Sequence, residues 1–454
     1  MTPRRIVVAG GGITGLATAF TLRNEAARRG LPIELTLLEA GAAGGHARTI
    51  DEDGFRIERG PNGFLDRGEE TMALIDELKL QDRIVEASPR AKRRFILRDG
   101  TLRQVPESPP ALITSNAIGW KGKLRLFGEP WAAPPPVDTD ETTFAFAERR
   151  LGREAAETFV DTAVAGISAG DSRALSVRSQ FPILKEWERD HGSLLKAMIA
   201  RQKAGAKRAR LFSFDRGLGT LTSTLASNLA DVIREKTPIE RIEKLDRCWR
   251  VQLADGSSIA ADHVVLALPS HAAARVAVGF DQELAASMNS IPYASISVVA
   301  LGFRADAITR PLDGYGYLVT RREDLSTLGV LWESSIFPNR APEGHALLRI
   351  MLGGARRPEV SAFDDKMVAE IALKEAAVVL GITGRPLRQW ICRWPSAIAQ
   401  YTVGHDARIA SIRRLTSMHS GLHVCGTAFD GVSFNDAIAA GRNTARAILQ
   451  ELAA

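Results

Sequence analysis

The sequence predicts an α/β plus α+β chain, in which a Rossmann-type dinucleotide-binding domain carries an antiparallel-sheet domain and a helical, membrane-leaning domain. Three observations predict it. The chain opens on "RRIVVAGGGITGLATAF", an apolar strand leading through Gly10, Gly12 and Gly15 into helical spacing. Between residues 290 and 352, the strand-length runs "ISVVALGF", "YGYLV", "LGVLWES" and "ALLRIML" are separated by turn residues, the pattern of an antiparallel sheet. From Asp140 to about Lys207 the spacing is helical, most clearly in "ETTFAFAERRLGREAAETFVDTAVAG".

The opening stretch has two readings. Arg4 and Arg5 before an apolar run, with Ala17-Thr18-Ala19 after it, imitate an export signal. The context favours a nucleotide site instead. Helical spacing from Ile13 to Arg29 stops at Gly30, and "IELTLLE" (33–39) returns as a second buried strand, completing a parallel βαβ unit. Gly10 permits a sharp turn, Gly12 a close approach of backbone to pyrophosphate, and Gly15 tight packing of helix on strand. The positive helix end then faces the phosphates, with Gly11, Ile13 and Thr14 completing the turn. Glu39, at the end of the second strand, stands where a carboxylate accepts ribose hydroxyls.

The bulk properties bound the rest. At 454 residues the chain exceeds one compact core. The expected division is a discontinuous dinucleotide domain at 1–90, 208–285 and 390–454, a mainly helical domain at 91–207 and an antiparallel sheet at 286–389. "DGSSIAADHVVLALPS" (255–270) is the return to the first domain, and a helix at 365–380 is capped by Gly381. No apolar run approaches the ~18 residues of a membrane helix. Contact with a membrane surface would rest on the Pro- and Gly-rich stretch 106–136, through Trp120, Leu124, Leu126, Phe127 and Trp131. Cys248, Cys392 and Cys425 lie far apart without ligand spacing, so a reducing cytoplasm fits and neither a disulfide framework nor a zinc site is expected. His419 and His423 are four apart but fall in a turn and a strand, so no metal is expected there either. The net charge of +6 comes from scattered basic residues without a nucleic-acid motif, which excludes a nucleic-acid partner. A homodimer is left open.

The C-terminal "GLHVCGTAFDGVSFNDAIAAGRNTARAILQEL" decides which dinucleotide is held. It reads as a strand (His423 to Cys425), glycines for close approach at Gly426 and Gly431, and a helix beginning near Asn435 or Asp436. A helix N-terminus aimed at the pyrimidine end of an isoalloxazine stabilises the negative charge that develops on reduction, so FAD is expected.

With these segments in view, the chain resembles the FAD-dependent protoporphyrinogen/coproporphyrinogen oxidases, within the flavin amine oxidase-like superfamily. The resemblance covers nearly the whole chain. Besides the glycine turn, it is carried by "GFRIERGPNGF" (54–64), "AERRLGREAAETFVDTAVAGISAGDSRALSVRSQFP" (147–182), "GYGYLV" (314–319), "IAQYTVGH" (398–405) and "GTAFDGVSFNDAI" (426–438). It implies FAD contacts by Gly10 to Gly15, Glu39, Gly60, Pro61, Asn62 and Gly63, by Ile239 beside the adenine, and by Thr427, Val432, Ser433 and Phe434 near the flavin. In one respect the chain departs from the pattern: "EAGAAGGHART" lacks the Arg that relatives carry before the Gly-Gly pair. His46 follows that pair, and Arg48 is the candidate for the missing charge.

For the substrate, the resemblance points to Arg94, Gly166, Tyr315, Leu318 and Met351. A porphyrinogen is a broad apolar macrocycle with carboxylate tails, which calls for apolar walls, a small residue for close approach and a guanidinium. The implied reaction removes six electrons in three two-electron steps, with O2 as acceptor. No GxSxG, HExxH or close Cys/His pair is present, and no side chain is expected to be catalytic, because positioning against the flavin supplies most of the rate. The rival readings are a flavin oxidase of amines or carotenoids and a binding module without enzyme activity.

Overall fold

The computed structural model describes residues 2–134, 139–205 and 209–453. Strand β1 (Arg4–Ala9) sits at the centre of a five-stranded parallel sheet. It lies between β2 (Ile33–Leu38) and the strand His263–Leu266, and Ile233–Arg234 and Leu422–Val424 form the edges. Its alternate residues enter two different cores. Ile6 and Val8 pack with helix α1 (Ile13–Arg29), whereas Val7 and Ala9 pack on the other face with Trp249 and Val251 of a small antiparallel sheet. That two-sided burial is why "RRIVVA" is a continuous apolar run. Helix α1 ends at Gly30 in the left-handed conformation (φ 65°), and the Gly30 N–H reaches back to Ala26 and Ala27.

Ala17, Thr18 and Ala19 are buried in α1. The last helix, Phe434–Ala453, crosses α1 so closely that a methyl group at Gly441 would lie 2.4 Å from the Thr14 carbonyl. Small residues serve helix packing here, and removal of the segment at a signal cleavage site would take the central strand with it.

The second layer is a seven-stranded sheet ordered Arg388–Ala399, Tyr293–Arg304, His345–Gly353, Thr327–Trp332, Gly316–Val319, Phe95–Arg98, Thr101–Gln104. All its pairs are antiparallel except Gly316–Val319 with Phe95–Arg98. Helix Asp365–Leu380 covers one face, where Val299, Leu301 and Phe303 meet Val368, Ala372, Ala376 and Leu380. The residues between them, such as Ala300, face Phe55 and Ile57 of the first domain.

Two segments join this sheet that sequence reading had placed elsewhere. Residues 95–104, assigned to the helical domain, form a hairpin turned by Asp99 (φ 54°) and Gly100 (φ 67°). An Asp-Gly pair between apolar runs is a strong hairpin signal, here obscured by the preceding charge run "PRAKRR". Residues 388–399, most of them assigned to the dinucleotide domain, form the sheet's edge strand.

The helical region begins with Thr143–Leu151, breaks at Gly152 (φ 85°), and resumes through a π turn at 156–160 into Asp161–Ser168. The expected boundary at 207/208 lies outside the described residues, as do positions 135 and 136 of the Pro- and Gly-rich stretch. The rest of that stretch is docked, not loose. It contains helix Trp120–Phe127, and Glu129 is buried against Arg150 while accepting the Leu194 and Leu195 amides at 2.9 and 3.2 Å. Among the described residues, no helix is long and apolar enough to cross a membrane.

Candidate cofactor and substrate site

Backbone geometry builds the phosphate turn. Gly10 has φ 106°, and a methyl group on it would lie 2.5 Å from the Ala267 carbonyl, so only glycine fits. At Gly12, by contrast, a methyl group would meet nothing within 4 Å, which leaves room for a ligand above the turn. The α1 N-terminus has neither a side-chain cap nor an acidic residue in its first turn. Its amides are therefore available to an anion. Glu39 is drawn onto this turn, accepting the Gly11 and Gly41 amides at 2.7 Å each.

Three distant segments close around the turn. The Gly44 amide donates to the Gly11 carbonyl at 2.8 Å, and Gly45 lies against Gly12. His46 rests edge-on against Trp394, with ring centroids 4.2 Å apart; Arg59 lies over the same indole, and its Nε is buried without a partner. Gly60 is pressed against the His46 carbonyl and is held from below by Arg349, which donates to the Gly60 carbonyl. Thr237, two residues before Ile239, donates to the Glu39 carbonyl at 2.8 Å, so Ile239 begins its strand beside the ribose position. Arg48 lies under Gly44 and has no ion-pair partner among the described residues.

On the C-terminal side, Gly426 (φ 130°) and Gly431 (φ 115°) bracket the loop bearing Thr427. Tyr401 holds both ends of that loop: its hydroxyl donates to the Thr427 carbonyl at 2.7 Å and accepts the Gly431 amide at 2.9 Å. The following helix starts at Phe434, slightly earlier than expected, because Ser433 and Asp436 cap each other's amides at 3.1 Å. Val432 packs into the core that borders Ile239, and Phe434 stacks near Phe64, 6.4 Å between centroids. Within "IAQYTVGH", nothing local marks the Tyr401 hydroxyl as the brace of a loop 26 residues away.

The five substrate candidates gather at one face of the large sheet: Leu318 and Met351 lie in its strands, Arg94 and Tyr315 directly precede two of them, and Gly166 belongs to the helix Asp161–Ser168 packed against Leu318. Leu318, Gly329 and Met351 are direct cross-strand partners in a row, and the absence of a side chain at Gly329 lets Leu318 lie over it. Gly166 abuts Leu318; a methyl group there would come within 2.5 Å of Leu318 Cδ2. Tyr315 and Met351 border one apolar cluster. Arg94 is exposed, lies over the Tyr315 ring at 5.4 Å and has no ion-pair partner among the described residues. Two residues from Met351, on the same face, Arg349 reaches Gly60, so this face looks toward the segment 60–63. Asn62 and Tyr315 hydrogen-bond across that gap at 3.1 Å.

Open room above glycines, uncapped helix amides, a carboxylate at the end of the second strand and an unpartnered buried guanidinium nitrogen fit a dinucleotide; an adjoining apolar face fits a broad substrate. Fold and site define a flavin-dependent oxidoreductase. The chain belongs to the family described as flavin containing amine oxidoreductase, whose sequence model matches residues 13–449, and its cofactor is FAD. It is 30% identical to coproporphyrinogen III oxidase of Bacillus subtilis over 97% of this chain and 96% of the relative. It is 31% identical to protoporphyrinogen oxidase of Bos taurus over 98% of each chain. Among solved structures, cyclohexylamine oxidase of Brevibacterium oxydans shares the fold, with TM-score 0.72 at 17% identity and full coverage of both chains.

Proposed function

We propose that this chain oxidises a porphyrinogen, protoporphyrinogen IX or coproporphyrinogen III, to the corresponding porphyrin in haem biosynthesis, with O2 as electron acceptor. The observation that carries the reading is end-to-end similarity to oxidases of both substrates, combined with an unpaired arginine at the rim of an apolar sheet face. Bound FAD would supply the two-electron oxidising chemistry, with O2 as the terminal acceptor.

The chain's own residues bind and orient. Gly10 to Gly15 and the α1 amides take the pyrophosphate, Glu39 the ribose and Ile239 the adenine edge. His46, Gly60 to Gly63, Thr427 and Val432 to Phe434 enclose the flavin. Leu318 and Met351 form the macrocycle's wall, Gly166 leaves it space, and Tyr315 fixes the wall to the Asn62 loop. Arg94 pairs a propionate, an interaction strongest when the guanidinium is not already committed. No side chain is assigned as base: once hydride leaves the meso carbon, the pyrrole N–H proton is acidic enough to pass to water.

The helical region also supports peripheral contact with an apolar surface such as the cytoplasmic face of a membrane, because Ile113, Trp120, Leu124 and Trp131 are exposed near one another in sequence.

Anaerobic mixing of the purified flavoprotein with each porphyrinogen tests the substrate. One of the two is expected to bleach the flavin absorbance. If neither does, the substrate assignment falls although the fold stands.

A further inference from the structure

At the edge of the parallel sheet opposite the glycine turns, three residues far apart in sequence converge. His263 is the first residue of its strand, and His423 lies in the neighbouring strand, where it pairs in register with Val265. Residues two apart share a face, so both imidazoles project to the side covered by the last helix. There Glu451, in that helix's final turn, reaches toward them. His263 Nδ1 and His423 Nε2 are 3.2 Å apart, and Glu451 Oε2 is 3.9 and 3.8 Å from them.

We infer that His263, His423 and Glu451 form a binding site for a divalent transition-metal ion of the zinc class, completed by water on the solvent side. A point about 2.1 Å from all three atoms exists within that triangle, which is the length of a zinc bond to imidazole or carboxylate. The burial differs as such a site requires. The two histidine side chains are 13% exposed, whereas Glu451 is 52% exposed and leaves a coordination position open to water. The negative end of the last helix adds to the attraction for a cation. Arg4 and Lys244 oppose a cation here and Asp262 offsets them. Among the described residues, this is the single group of three or more such side chains in ligating arrangement.

An ion at this place would be structural. It would tie two strands to the C-terminal end of the helix that begins at Phe434. The inference does not depend on the identity of the substrate.

The test uses the FAD-loaded full chain without a polyhistidine tag, stripped with chelator and titrated calorimetrically with Zn2+, and separately with Co2+ read by its visible bands. One equivalent is expected to bind, with a rise in Tm, and His263→Gln or His423→Gln is expected to weaken it by more than about tenfold. Glu451→Gln, at an exposed helix end, keeps the question open to decision if either histidine variant fails to retain FAD; it too is expected to weaken binding. Absence of stoichiometric binding to the wild type, or binding unchanged in Glu451→Gln and the histidine variants, would overturn the site and leave a plain His–His hydrogen bond.

Discussion

Asn62 Nδ2 donates to the hydroxyl of Tyr315 at 3.1 Å, joining the Gly60–Gly63 segment to the residue that precedes the strand Gly316–Val319, 253 residues away. Arg349 makes a second tie by donating to the Gly60 carbonyl while pairing with buried Glu333 at 2.7 Å. The Gly60–Gly63 segment and this face of the large sheet are therefore tied at two points.

Removing the hydroxyl while keeping the ring isolates the first tie. Tyr315→Phe should retain FAD and the Arg94 contact but lose one hydrogen bond, about 1 kcal/mol, or roughly fivefold in kcat/KM with the better porphyrinogen. Steady-state kinetics on flavin-saturated protein checks this. An unchanged kcat/KM would mean that the bond has no part in positioning.

At Gly166 the neighbour is the flexible end of Leu318, so a methyl group forces Leu318 to move and does not prevent folding. Gly166→Ala should raise KM and destabilise by about 1–3 kcal/mol. In Gly166→Ala with Leu318→Ala the clash is gone, and the double variant should be less impaired than the two single effects combined, which a double-mutant cycle on Tm and KM measures. Strict additivity would show that the two residues do not share a wall.

Beside the Gly426–Gly431 loop that Tyr401 braces, His405 stacks on Tyr401 with centroids 3.9 Å apart and is 2% exposed, its ring nitrogens unpartnered. Burial, aided by Arg408, lowers its pKa to about 4. The unfolded chain, with a histidine pKa of about 6.5, binds the proton more readily, so stability is full above that value and falls as pH drops toward 4. The residue should account for at most about 3 kcal/mol of acid destabilisation. His405→Phe keeps the stack and should flatten the decline in denaturant-measured stability between those pH values; His423, also lowered to about 4, supplies slope that remains. An identical decline in wild type and variant would contradict this.

Legibility in the sequence followed the range of the interaction. Gly10, Gly12 and Gly15 are readable because their demands are local: Gly10 takes a positive φ, Gly15 lies against the Gly10 carbonyl, and Gly12 falls between them in the same short spacing. The Asp99–Gly100 hairpin is equally local, its two positive φ values being met by an Asp-Gly pair. Tyr401, Gly329 and Arg349 were not readable as site residues. Each resembles an ordinary strand or loop residue until the partner it meets, 11 to 289 residues away, is known.

The sequence by itself determined that a parallel βαβ unit with a glycine turn opens the chain and that a glycine-bracketed strand–helix junction stands near the C-terminus. These follow from spacing, chain flexibility and the direction of helix dipoles, all set within a few residues. Tertiary structure alone decided which surfaces meet: that Leu318, Gly329 and Met351 align into one wall, that this wall faces Asn62, and that His263, His423 and Glu451 converge at the far edge. Periodicity tells a residue which side of its strand it occupies. Strand order and register, cooperative properties of the whole sheet, choose its neighbour.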